Sequence, residues 1–276
     1  MKLGLFGSGN AAAATAIALA RNNPFEDIVW VARTPEKATV ALRDVASAFP
    51  DFIAKVRIKP SFEGERLDVI AVLAGSQIPA GGKARDGLKD NVGLVDAYIS
   101  EHVKPETVVV LLGSPVDEVT ENVAARLDLP SNQIIGFGGD LDVRRLSVVL
   151  AEKKIQASPV HIVGEHGARA IPVYDGEELF DEVASGVRNM FKTLTHLSGP
   201  PRNLATGALM SELLASLTRA IPTLHHVTSH NPSHKAFLTW PSLIAKGGIS
   251  TLVDIKLGHQ AQMALDVLVQ SKMVSQ

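Results

Sequence analysis

Short apolar runs and stretches of helical periodicity alternate through the first half of the chain. Residues 2–6, Ile28–Val31, Leu67–Leu73 and Thr107–Leu112 are nearly continuous apolar runs, the pattern of strands buried on both faces. Between them lie an alanine-rich segment ending near Arg21, one over Pro35–Ala48 and one over residues 88–103, each predicted to be helical. A short segment around Val56–Ile58 precedes the third run. This alternation continues to residue 135 and predicts a doubly wound parallel sheet.

Gly136-Phe137-Gly138-Gly139 interrupts the rhythm and marks a boundary between two domains, residues 1–139 and 140–276. The second is predicted to hold a helix over residues 141–154, a strand at Val160–Val163, helices near residues 178–195 and 203–220, and a strand-like run at Phe237–Ile244. A turn at Gly247-Gly248-Ile249, a strand over residues 252–256 and a helix over residues 260–270 close the chain.

Chemistry enters at the first strand–helix junction, Gly7-Ser8-Gly9-Asn10-Ala11-Ala12. Gly7 permits the tight turn, Gly9 lets a pyrophosphate approach the backbone, and the helix start from Asn10 to Ala12 offers free N–H groups with partial positive charge. A dinucleotide fold normally places an acid after its second strand, where it holds the adenosine ribose hydroxyls. Here Ala32-Arg33-Thr34 stands instead, and an arginine attracts a 2′-phosphate. Ala12 at the third glycine position leans the same way, so NADP is favoured over NAD; the competing reading leaves Arg33 as a solvated loop residue. The stretch from Ser76 to Asp86, after Ala74-Gly75, has the glycine, proline and polar content of a mobile flap.

In the second half, Val163-Gly164-Glu165-His166-Gly167 holds a histidine between two glycines, and Asp142 and Arg145 stand one helical turn apart. An accessible imidazole, a carboxylate that fixes its tautomer and a guanidinium fork that clamps a carboxylate together describe a proton-transfer site for a small organic acid. His225, His226, His230 and His234 have the spacing of a metal site on a helix. Asn231-Pro232 breaks that helix and neither cysteine nor clustered acids join it, so a solvated interface loop, without metal, is the expected structure.

Composition narrows the classes further. With 46% hydrophobic residues, 276 residues can bury a substantial core, and the absence of cysteine excludes disulfides, thiolate catalysis and iron–sulfur clusters. A net charge of −2 from 27 basic and 29 acidic residues, with two Trp and two Tyr, offers nucleic acid neither field nor stacking platform. The opening residues are too short for a signal peptide, and no apolar run approaches the ~20 residues of a membrane span, so a cytoplasmic location is expected.

With these residues in order, the chain resembles the lactate/malate dehydrogenase family over nearly its full length. The most specific correspondences are Gly164-Glu165-His166-Gly167 and Leu141-Asp142-Val143-Arg144-Arg145, joined by Ala74-Gly75, Ser114-Pro115-Val116-Asp117, Trp240-Pro241-Ser242-Leu243 and Gly247-Gly248-Ile249. The resemblance implies an α/β fold in which an N-terminal Rossmann domain is followed by an α+β catalytic domain. It implies a cofactor of the NAD(P) type in contact with Ala74, Gly75 and Ser114, and a 2-oxo or 2-hydroxy acid substrate. His166 would be the proton donor and acceptor, Asp142 its supporting carboxylate and Arg145 the partner of the substrate carboxylate. A flap arginine would polarise the carbonyl; Arg85 is the candidate, although counting from Ala74-Gly75 the position falls on Ala84. Most such relatives are dimers or tetramers, so the resemblance implies a homodimer or homotetramer.

Departures from the family pattern bear on substrate. The position that selects between lactate and malate falls on or near Ile78, whose apolar side chain favours a monocarboxylate such as pyruvate or a branched 2-oxo acid. Ser114 replaces an asparagine that touches substrate and cofactor. Arg202, in Pro201-Arg202-Asn203, stands where a small hydroxyl residue is usual and either binds a second anionic group or faces solvent. The alternative to an enzyme is a non-catalytic nucleotide-binding protein that keeps the fold. Against it, Asp142, Arg145 and His166 are all present, and such groups cost stability when left unpaired.

Overall fold

The computed structural model describes residues 1–75, 84–198 and 203–274. From the N-terminus, β1 (Lys2–Phe6), α1 (Asn10–Arg21), β2 (Asp27–Val31), α2 (Pro35–Ala48), β3 (Val56–Lys59) and β4 (Val69–Val72) lead to α3 (Leu88–Tyr98), β5 (Val108–Leu111), α4 (Val116–Ala124) and β6 (Ile134–Phe137). The chain continues with α5 (Gly139–Glu152), β7 (Val160–Gly164), β8 (Ala170–Tyr174), α6 (Phe180–Ser198) and α7 (Leu204–Ser216). It ends with β9 (Thr223–Asn231), β10 (Ala236–Ala245), β11 (Gly248–Leu252) and α8 (His259–Val274).

Six strands pair in parallel in the order β3-β2-β1-β4-β5-β6, the strand order of a dinucleotide-binding sheet. Period-two alternation within buried strands explains the layers on either side. Leu3, Leu5, Ile28, Trp30, Val108 and Val110 face a core shared with α1, α2 and α7. Phe6, Val29, Val31, Ile70, Val109 and Leu111 face the opposite core, built with α3 and α4. Helices on both faces make the sheet doubly wound, as the apolar runs predict.

Beyond β6 the sheet does not stop. β9 pairs antiparallel with β6 through Gly136↔Thr228 and Phe137↔Val227, then β10, β7 and β8 follow, with β11 on β10. A third core gathers Leu146, Val149, Ile162, Val183, Leu238 and Leu265 from α5, β7, α6, β10 and α8. The Gly136–Gly139 stretch is the end of β6 and the start of α5.

Three expectations for the second half are corrected. β8 follows β7 as a hairpin with no counterpart in the sequence reading. The strand expected over residues 252–256 lies earlier, at Gly248–Leu252, because Gly247 and Gly248, both at positive φ, turn the chain straight back onto β10. The expected solvated histidine loop is strand β9, in which His225 and His226 are buried.

Candidate active site

Asp142 gathers the groups read together in the sequence. It lies in the first turn of α5 and is fully buried, and its Oδ2 accepts hydrogen bonds from His166 Nδ1 at 2.7 Å and from the Gly167 N–H at 2.8 Å. Its Oδ1 accepts from Arg145 Nη1, also at 2.8 Å, one turn along the same helix. Burial alone would raise the Asp142 carboxyl, but the charge and hydrogen bond of His166, with Arg145, hold it below the usual range. Burial would likewise lower His166, and the Asp142 carboxylate overrides it, so the imidazole sits above its ordinary value. The contact at Nδ1 leaves Nε2 as the nitrogen able to exchange a proton with a ligand.

Local sequence explains how His166 reaches this position. It lies on the turn between β7 and β8, where Gly164 at φ +94° and Gly167 at φ +79° take conformations that side chains disfavour. Gly138, just before α5, leaves room for the ring, since a Cβ there would stand 2.5 Å from the His166 imidazole. The His166 backbone N–H donates to Asp117 Oδ2 at 2.9 Å, and Asp117 Oδ1 accepts from Thr228 at 2.7 Å and Thr239 at 3.2 Å. Asp117 is buried in the first turn of α4, and burial pushes its carboxyl up. It therefore ties the histidine turn to α4, β9 and β10 at once.

Gly7 has φ +133°, and a Cβ on it would stand 2.7 Å from the Ala74 backbone nitrogen. Its carbonyl accepts the Trp30 indole N–H at 2.5 Å. These contacts bring the ends of β1, β2 and β4 together. Gly9 faces open space, where a Cβ would meet nothing within 4 Å. The α1 start has no side-chain cap and no acid in its first turn. An exposed helix N-terminus with an open glycine fits a pyrophosphate. Arg33 is exposed just past the end of β2.

The remaining expected site residues are dispersed. Ser114 is exposed after β5, and its carbonyl accepts from Asn91 Nδ2 at 2.6 Å. Arg85 does not reach His166; its Nε pairs with Glu118 at 2.9 Å on an exposed face of α4. Ile78 and Arg202 lie outside the described residues. The sequence reading missed the parts played by Asn91 and Asp117. Asn91 has no local signature, whereas Asp117, an acid directly after Pro115-Val116 in a helix's first turn, is a readable anchor.

No protein-family model matches the chain. Among curated proteins it is 24% identical over 293 residues to a malate dehydrogenase of Aeropyrum pernix, covering 97% of this chain and 94% of that protein. It is 22% identical to an L-lactate dehydrogenase A of Rhizopus oryzae, covering 96% and 88%. It is also similar to the solved structure of malate dehydrogenase from Salinibacter ruber, with a TM-score of 0.80 at 19% identity over 99% and 96% of the two chains. With the same fold over the whole length and sequence matches to both kinds of dehydrogenase, the chain is similar throughout to proteins of the lactate/malate dehydrogenase family.

Proposed function

We propose that this protein is an oxidoreductase that transfers a hydride between NADP(H) and a small 2-oxo or 2-hydroxy monocarboxylic acid. The observation that carries the reading is the 2.7 Å contact between His166 Nδ1 and Asp142, with Arg145 on the same carboxylate. When bound, the nicotinamide supplies the hydride chemistry. Arg145 pairs with the substrate carboxylate and orients the acid, and His166 gives a proton from Nε2 to the carbonyl oxygen during reduction. Asp142 holds the Nδ1–H and offsets the imidazolium charge. Arg85 is proposed to leave Glu118 and support the charge developing on that oxygen. Residues 1–139 would bind the dinucleotide and residues 140–276 supply the acid-handling groups.

Two sequence features support the finer choices. Arg33, without an acid beside it, favours a 2′-phosphate, and Ile78, where the family reads the second substrate group, favours an apolar one. The relatives above are named for malate and for lactate, so their names do not choose between the two.

Cofactor oxidation by the purified protein with NADPH and NADH in parallel, across pyruvate, oxaloacetate and 2-oxoisocaproate, tests the reading. Faster NADPH oxidation with a monocarboxylate is the expected result; preference for NADH removes the role of Arg33, and preference for oxaloacetate that of Ile78. His166→Asn should lower turnover by about 10²–10⁴-fold while nucleotide still binds. Nucleotide binding with no turnover for any pair would favour the non-catalytic alternative.

A further inference from the structure

The turn that carries His166 is fastened to the C-terminal helix by a buried cation. Lys272, in the last turns of α8, is 9% exposed. Its Nζ lies 2.9 Å from Glu165 Oε1 and 3.6 Å from Glu121 Oε2 of α4. Glu165, also buried, precedes the histidine and meets Arg169 at 3.1 Å across the turn. Arg169 in turn donates to the Ser271 hydroxyl, beside Lys272. An ammonium withdrawn from water is strongly unfavourable unless compensated, and here the compensation comes from the residue next to the proton donor. The same charges reach Asp117, which holds the His166 N–H: Glu165 opposes its ionisation, and Asp117 favours the charged form of Lys272.

We propose that Lys272 is a positioning residue for His166: by neutralising Glu165 and Glu121 it holds the β7–β8 turn against α4 and α8 and keeps the imidazole registered on Asp142. The inference rests on the reading of His166 as the proton donor. The charged groups facing His166 are Asp142 and Arg145 from α5 and Asp117 from α4. Those facing Lys272 are Glu165 from the turn and Glu121 and Asp117 from α4. Without the ammonium, Glu165 keeps Arg169 but loses its tie to α8, the turn slackens, and the imidazole loses register on the Asp142 carboxylate that raises it, so His166 gives up its proton at lower pH.

The experiment is an NMR titration of histidine in the full chain, with the His166 resonance identified by its loss in His166→Asn, combined with steady-state kinetics. Lys272→Met should lower the His166 midpoint by about half a unit or more, and lower kcat for 2-oxo acid reduction about tenfold with the KM for cofactor unchanged. Lys272→Arg should restore both. A Lys272→Met midpoint equal to that of the wild type overturns the proposal. If Lys272→Met does not fold, Glu165→Gln, which weakens the same tie from the other side, should lower the midpoint as well, and an unmoved midpoint there overturns the proposal equally. A wild-type protein that reduces no 2-oxo acid defeats the functional reading, while the His166 midpoints still decide the role of Lys272.

Discussion

Both oxygens of Asp142 are committed inside the protein, one to His166 and Gly167 and the other to Arg145. The carboxylate thus fixes the tautomer of its base and the register of its arginine together. Because His166 is held above its ordinary value, the protonated form that the proposed reduction uses is full at low pH and lost as pH rises through that raised value. Reduction of a 2-oxo acid should therefore hold its rate below the His166 midpoint and fall above it, with the reverse for oxidation of the 2-hydroxy acid. Asp142→Asn removes the charge that raises the imidazole and should move the fall to lower pH; an unmoved pH–rate profile would count against the pair. His166, Asp142 and Arg145 were legible in the sequence because each carries a short-range signal, a glycine-flanked turn or a one-turn helical spacing. Asn91 and Lys272 were not, because their partners, Ser114 and Glu165, lie far away in the chain and no local pattern announces them.

At the scale of single elements, β9 shows how one spacing admits two structures. His226, His230 and His234 recur every fourth residue, as on a helix, but Val227 and Thr228 are β-branched and the segment pairs with β10 along nine residues. Both buried imidazoles of that strand lie close to Asp140, His226 Nδ1 at 3.7 Å from it. His225 Nδ1 meets Asp140 at 2.6 Å and its Nε2 meets Ser216 at 2.9 Å, while His226 Nε2 meets His161 Nδ1 at 3.0 Å. Burial raises the Asp140 carboxyl, but hydrogen bonds from His225 and His226 outweigh it and hold it at about 2. A depressed carboxyl stabilises the fold above its unfolded value of about 4 and loses that contribution as pH falls through its folded value. Asp140→Asn should lower the unfolding free energy by about 2–3 kcal/mol at neutral pH, with the gap to wild type closing towards about pH 2, as urea unfolding across pH would measure. β8 escaped the sequence reading for a related reason. Pro172 sits inside Ala170–Tyr174, and proline disqualifies a run as a strand except at an edge, the place β8 occupies in the sheet.

The whole molecule is organised by one continuous sheet. The parallel half was legible, since buried strands alternating with helices leave few topologies. Its union with the second half was not, because the β6–β9 pairing joins strands far apart in sequence. The core on one face of the parallel strands also takes Leu209, Met210, Leu213 and Leu214 from α7, together with Val227 and Ile244 from β9 and β10. A fragment ending at residue 139 should accordingly aggregate rather than fold, since it bares β6 as an apolar edge and strips α7 from α1; a soluble, monomeric fragment that binds nucleotide would contradict this. The β6–β9 ladder has a mechanical meaning as well. Where two lobes meet through a flexible linker, the cleft between them closes by bending at that linker. Here the two halves are stitched by the main-chain hydrogen bonds of the β6–β9 ladder, next to Gly138, so the sheet that joins them offers no linker at which to bend.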